Sequence, residues 1–211
     1  MSRVLIVCWL LFNASYAFAD VKTNQTGGTG KKGACFSRQN DHWSYKISQL
    51  KANWYYSWGR ELREERPKNV EFVPMFWGKW FKDDDIEYLL NLKNQNQIKF
   101  VLGFNEPDSP NQSNMSVDEA IALWPKLEAI GLPLGSPATV NPENKWMINF
   151  MQKVDDLGLR VDFICVHHYG GKNVQGLLHK LHRVHQRYNR PIWITELAVA
   201  DWNAKSTGQN R

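Results

Sequence analysis

The chain has 211 residues, 43% of them hydrophobic, and a net charge of +5, enough sequence for one sizeable domain with its own core. The positive excess is spread along the chain without a block of like charge, which excludes a nucleic-acid tract. No segment approaches the ~20 consecutive apolar residues a spanning helix needs, so no membrane partner is expected.

Residues 1–19 carry the parts of a secretory signal peptide: Arg3, the apolar run VLIVCWLLF at 4–12, and Ala17-Phe18-Ala19 before Asp20. They predict export to an extracellular setting. Residues 20–32 are polar and glycine-rich and read as a flexible leader. From Gly33 the rest of the chain, 33–211, reads as one domain of alternating strand-like and helix-like segments.

Residues 33–36 form a short strand, and 41–50 a helix with Trp43, Ile47 and Leu50 on one face. Residues 53–58 (NWYYSW) form the second strand, followed by a charged connection at 60–68 with little helix of its own. Residues 71–77 form the third strand. Asp83 caps a helix striped with Ile86, Leu89 and Leu90. The fourth strand is 99–104 (KFVLGF), and Ser116 with Glu119 makes a capping box before a helix lined by Ile121, Trp124, Leu127 and Ile130.

Residues 132–136 form the fifth strand, and Asn141-Pro142 opens a helix bearing Met147, Phe150, Met151 and Val154. Residues 161–166 are the sixth strand. The next helix carries Val174, Leu177, Leu178, Leu181, Val184 and Tyr188, and 191–195 (PIWIT) is the seventh strand. This alternation predicts an α/β fold, a (β/α) TIM barrel rather than a doubly wound sheet, because Cys35-Phe36-Ser37-Arg38 after the first strand lacks a glycine-rich phosphate turn.

In a barrel the chemistry sits just past the C-terminal ends of the strands. Those positions hold Trp58, Trp77, Asn105-Glu106, His167-His168-Tyr169 and Glu196. Two glutamates at the ends of strands four and seven fit glycosidic cleavage, which needs a proton donor and, in retaining enzymes, a carboxylate nucleophile. Taken singly, Glu106 could be a loop carboxylate before a Pro107-Asp108 turn, and Glu196 a cap for the segment after its strand. Tryptophans at strand ends (Trp54, Trp58, Trp77, Trp80, Trp202) are either core or stacking platforms for sugar rings.

GFNEPD at 103–108 and ITE at 194–196 resemble the acid/base and nucleophile motifs of the clan A glycoside hydrolases. The finer resemblance is to glycoside hydrolase family 128. It rests on KGACF at 32–36, WYYSWG at 54–59, VPMFW at 73–77, GSPATVN at 135–141 with Trp146, and HHYG at 167–170. It runs from about residue 31 to about residue 202. The resemblance implies a (β/α)8 barrel, a retaining endo-β-1,3-glucanase, a β-1,3-glucan partner, and no metal or organic cofactor; the chain itself is expected to be a monomer.

It makes Glu106 the acid/base and Glu196 the nucleophile, places Asn105 and His167 against the substrate and Tyr169 on the nucleophile, and sets Trp58 and Trp77 along the cleft. Two alternatives stand beside it: another clan A β-glycanase cutting xylan or mannan, and a non-catalytic glucan-binding protein. The chain departs from the pattern at His168, where many relatives carry an aromatic residue. It also departs after Glu196, where only fifteen residues remain. The expectation is a barrel truncated after its seventh strand, in a fragment of a longer product.

Cys35 and Cys165 are left as either a disulfide or two separate thiols. His42, His167 and His168 are conceivable metal ligands, a role the resemblance argues against. His179, His182 and His185 read as a solvated helix face. Asn24, Asn111 and Asn114 head N-glycosylation acceptor triplets.

Overall fold

The computed structural model describes residues 30–39 and 41–200. The expected signal peptide, most of the leader, Asn24 and Trp202 lie outside the described residues. The elements in chain order are β1 (Gly33–Cys35), α1 (Trp43–Gln49), β2 (Trp54–Tyr56), β3 (Glu71–Phe72), α2 (Asp83–Asn94), β4 (Val101–Leu102), α3 (Val117–Glu128), β5 (Leu134–Gly135), α4 (Lys145–Asp156), β6 (Ile164–Gly170), α5 (Val174–Tyr188) and β7 (Ile192–Val199). The alternation matches the sequence reading, including the helix-free charged connection between β2 and β3.

Every strand pair is parallel. β1, β2 and β3 pair in order, as do β4 with β5 and β6 with β7. Single bridges at Met75–Leu102 and Gly135–Phe163 carry the same order across the gaps. The seven strands therefore lie side by side in chain order, as short βα connections dictate.

Side-chain alternation divides the core in two. Tyr55, Ile164 and Val166 face the helices and pack with Leu89, Trp124 and Phe150. Tyr56, Phe163 and Cys165 face the other way and meet Met75 and Leu102, with Trp54, Phe100 and Trp193 against them. The ring of Trp193 lies 4.6 Å from Phe163, 4.9 Å from Phe100 and 5.0 Å from Trp54. A flat sheet would hold β2 and β7 five strands apart, so contact between their side chains requires a strongly curled one. The curl does not close within the described residues. Among these residues β7 pairs with β6 alone, so the seven strands form an arc and no closed barrel is present.

Helix boundaries follow from local hydrogen bonds. At α3 the expected capping box forms: Ser116 Oγ accepts the Glu119 N–H at 3.1 Å, and Glu119 Oε2 accepts the Ser116 N–H at 2.8 Å. Asn144, not Asn141-Pro142, starts α4, because its side-chain oxygen takes the Met147 N–H at 2.9 Å. Asn141 instead turns the chain by accepting from Glu143. Asp83 is the first helical residue of α2 rather than its cap; Lys82 precedes it, and Asp85 Oδ2 accepts the Lys82 N–H.

The stripe of α2 is Ile86, Leu89 and Leu92, with Leu90 only partly buried. Leu50 falls past the end of α1 and is 42% exposed. Along α5 the apolar stripe is covered at Val184 and Tyr188 but open at Val174 and Leu178.

Candidate active site

The C-terminal ends of the strands bring the singled-out residues to one place. Past β4 the backbone stays extended between its neighbours. The Asn105 N–H donates to Trp77 O at 2.9 Å, and the Glu106 N–H donates to Ala138 O at 2.7 Å. At Glu106 φ turns to +39°, a left-handed value uncommon outside glycine. The Ser109 N–H then closes a turn on Glu106 O. Asp108 ties that turn down, accepting from Val140 N at 3.1 Å and Asn144 Nδ2 at 2.7 Å. Burial raises the Asp108 carboxyl above its ordinary range.

β7 delivers the second glutamate through an irregularity. Its pairing with β6 steps from Val166–Ile194 to His167–Glu196, so Thr195 is an extra residue on β7. Such a bulge re-aims side chains. Here it leaves two consecutive residues, Thr195 and Glu196, buried at 4% and 7% exposure.

Glu196 is held by three donors from two strands or their ends. Tyr56 Oη lies 3.0 Å from Oε1, and Trp58 Nε1 donates to the same oxygen at 2.8 Å. The Tyr169 hydroxyl donates to Oε2. Burial, reinforced by the charge of Glu196, pushes both tyrosine hydroxyls well up, so they remain protonated and able to donate.

His167 stands between the carboxylates, with Nδ1 3.0 Å from Glu106 Oε1 and Nε2 3.5 Å from Glu196 Oε1. It is 1% exposed. His168 points to the opposite side of β6, where burial and Lys180 lower its pKa.

Two adjoining cavities open at this point. One of about 280 Å³ is lined by Trp58, Trp77, Asn105, Glu106, Gln112 and Glu196. The other, of about 490 Å³, is lined by Glu106, Gln112, Val140, Tyr169 and Glu196. The two glutamates thus stand where the cavities meet.

Asn105 is 3% exposed, and its Nδ2 donates to Gln112 Oε1 at 3.2 Å. Trp80 stacks on Trp77 at 5.8 Å and is 61% exposed, extending the aromatic surface outward. Sequence reasoning missed Tyr56 and Gln112. The period-two spacing of Trp54, Tyr56 and Trp58 was the available signal for the first. Gln112 had no signal beyond its place in an acceptor triplet.

Glu106, His167 and Glu196 offer ligand atoms within 4.8 Å of one another, the one such group among the described residues that could hold a metal. The imidazole turns a different nitrogen to each carboxylate, an arrangement unlike three ligands converging on one ion. Cys35 and Cys165 are both free thiols, the first half-buried and the second buried.

The family described as glycosyl hydrolase catalytic core matches residues 33–211. The chain belongs to it. Solved structures similar to it include members of glycoside hydrolase family 128. One is a subgroup I endo-β-1,3-glucanase from Amycolatopsis mediterranei, crystallised as a glutamate-to-alanine variant with laminaripentaose. It is 34% identical with a TM-score of 0.72, over 84% of this chain and 75% of that one.

A subgroup VII oligosaccharide-binding protein from Trichoderma gamsii shares the fold at 23% identity and a TM-score of 0.60, over 81% of this chain and 68% of that one. The alkali-sensitive linkage protein 1 of Schizosaccharomyces pombe is 30% identical over 83% of this chain. The match takes up 32% of that protein, so the chain spans about a third of its curated relative's length. Family 128 thus includes both glucanases and a binding protein on one α/β fold.

Proposed function

We propose that this chain is a retaining endo-β-1,3-glucanase, with Glu106 as general acid/base and Glu196 as nucleophile. The observation that carries the reading is the facing pair of carboxylates, with oxygens within 4.8 Å, at the junction of two cavities. That separation favours direct attack on the anomeric carbon, since inverting enzymes hold their carboxyls about 6.5–9.5 Å apart to admit a water. The glucan choice is supported by the laminaripentaose-bound relative.

In this scheme Glu106 protonates the leaving glycosidic oxygen while Glu196 attacks. Glu106 then takes a proton from the water that releases the sugar from Glu196. Asn105 meets the sugar beside the scissile bond, Tyr169 steadies the nucleophile, and Trp58 and Trp77 border the cleft. No metal enters the scheme. The protein is read as an exported monomer on a (β/α)8 plan, of which the described residues supply seven strands.

The test is reducing-sugar release from linear β-1,3-glucan by the purified chain beside Glu106→Gln and Glu196→Gln. Each variant is expected to lose about a thousandfold or more in kcat. Binding of insoluble β-1,3-glucan without turnover by the unmutated chain would point to a binding protein instead. Turnover of xylan or mannan in place of glucan would keep the two glutamates and replace the substrate.

A further inference from the structure

Trp58 stands out for two reasons that a sugar platform does not require. Its backbone φ is +50°, a left-handed value that is a real outlier for a bulky residue and is kept only where the surroundings impose it. Its indole N–H is directed at Glu196 Oε1, 2.8 Å away. Two residues earlier on the same face, Tyr56 Oη reaches the same oxygen at 3.0 Å, and the two rings meet edge to face at 5.3 Å. Oε1 thus faces two donors from β2 and its end, with His167 Nε2 a further 3.5 Å neighbour. Oε2 receives the hydroxyl of Tyr169, a residue 42% exposed that lines the larger cavity.

We propose that Trp58 is a positioning residue for Glu196 and that, with Tyr56, it commits Oε1 to holding and leaves Oε2 to attack. This rests on the retaining reading above and assigns its geometry. A lone pair of Oε2 forms the new bond to the anomeric carbon as the glycosidic C–O bond breaks. The electron pair of that bond goes to the leaving oxygen, which takes the proton of Glu106. Oε1 becomes the carbonyl oxygen of the glycosyl ester, still accepting from Trp58 and Tyr56. Donors fixed on the non-attacking oxygen hold the carboxylate plane without blocking the lone pair that reacts, and their placement is complete before substrate arrives.

The distinguishing variant is Trp58→Phe, which keeps an aromatic face for a sugar and removes only the N–H. On laminari-oligosaccharides it is expected to lower kcat about 10- to 100-fold, the usual range for one preorganised donor. KM should stay within about twofold, with Tm near that of the unmutated chain. Tyr56→Phe should lower kcat in the same way. Unchanged kcat in a folded Trp58→Phe, or a loss confined to KM, would overturn the proposal in favour of a platform.

A second readout needs no turnover. The Trp58 indole N–H resonance, identified by its disappearance in Trp58→Phe, should move in Glu196→Ala more than any other indole signal. If it stays in place, the proposed hold on Oε1 is wrong, whatever the fate of the glucanase reading. If the indole moves and β-1,3-glucan is untouched, the hold stands and the substrate assignment falls.

Discussion

His167 is the residue at which the structure adds most to the reading of the sequence. In the sequence it is one of several cleft residues, yet it occupies the space between the two carboxylates, one ring nitrogen toward each. Its two amide mimics separate the two contacts. Asparagine places an amide near the position of Nδ1, so His167→Asn should preserve the side facing Glu106 and lose the side facing Glu196. His167→Gln should do the reverse. An aryl β-glucoside with a good leaving group needs little help from an acid. On such a substrate His167→Gln is expected to recover to within about tenfold of the unmutated rate, while His167→Asn is not. Equal losses for both variants on both substrates would reduce His167 to a packing role.

At the scale of single elements, the helices were the most legible part of the chain and the strand ends the least. Ser116 and Glu119 announce α3 in four residues because the box is built from local hydrogen bonds alone. Replacing Ser116 with alanine is expected to cost about 1 kcal/mol, measurable by chemical denaturation. Glu119 also accepts from Lys79 at 2.5 Å, and that bond with those to Ser116 lowers its pKa to about 2.

The depressed pKa fixes the direction of the pH dependence. The stabilisation is present above the ordinary carboxylate range and is lost as pH falls toward 2. The Tm deficit of Glu119→Gln should therefore be largest near neutrality and shrink in acid; a deficit that grew in acid would contradict this. By contrast, the bulge at Thr195 depends on how β7 meets β6, and nothing in PIWITE encodes it locally. Glu196 was found because two glutamates end two strands, not because its inward aim was readable. Trp58 and Tyr56 were legible as aromatics on one face of β2, but their common target lies some 140 residues away in the chain.

Over the whole molecule, the order of elements was readable from alternation and the curl was not. Period and spacing fix that β1 to β7 lie side by side. Only the meeting of Trp54, Phe100, Phe163 and Trp193 shows how far the sheet wraps. Those rings floor the interior beneath the site, so their loss should be felt as stability. Phe163, fully buried, is the sharpest probe: Phe163→Ala is expected to cost about 3–5 kcal/mol in urea denaturation. A cost under about 1 kcal/mol would mean that the aromatic floor does not hold the arc together. The edge of β7 and the uncovered stripe at Val174 and Leu178 mark where the wrapping stops among the described residues.

The two unpaired thiols were an open question in the sequence; in the structure they become a pair of clocks. Cys165 lies on the inner face, 2% exposed, and burial alone pushes its thiol well up. Cys35 lies half-buried on β1, its thiol raised by burial and then by the charge of Glu196. A thiolate-seeking reagent can reach Cys165 only when the strands part. The slow phase of labelling would then report how often the arc breathes, and the fast phase the access to half-buried Cys35 on β1. The ratio of the two phases would separate opening of the whole arc from local access to β1, a distinction that requires no substrate to be cut.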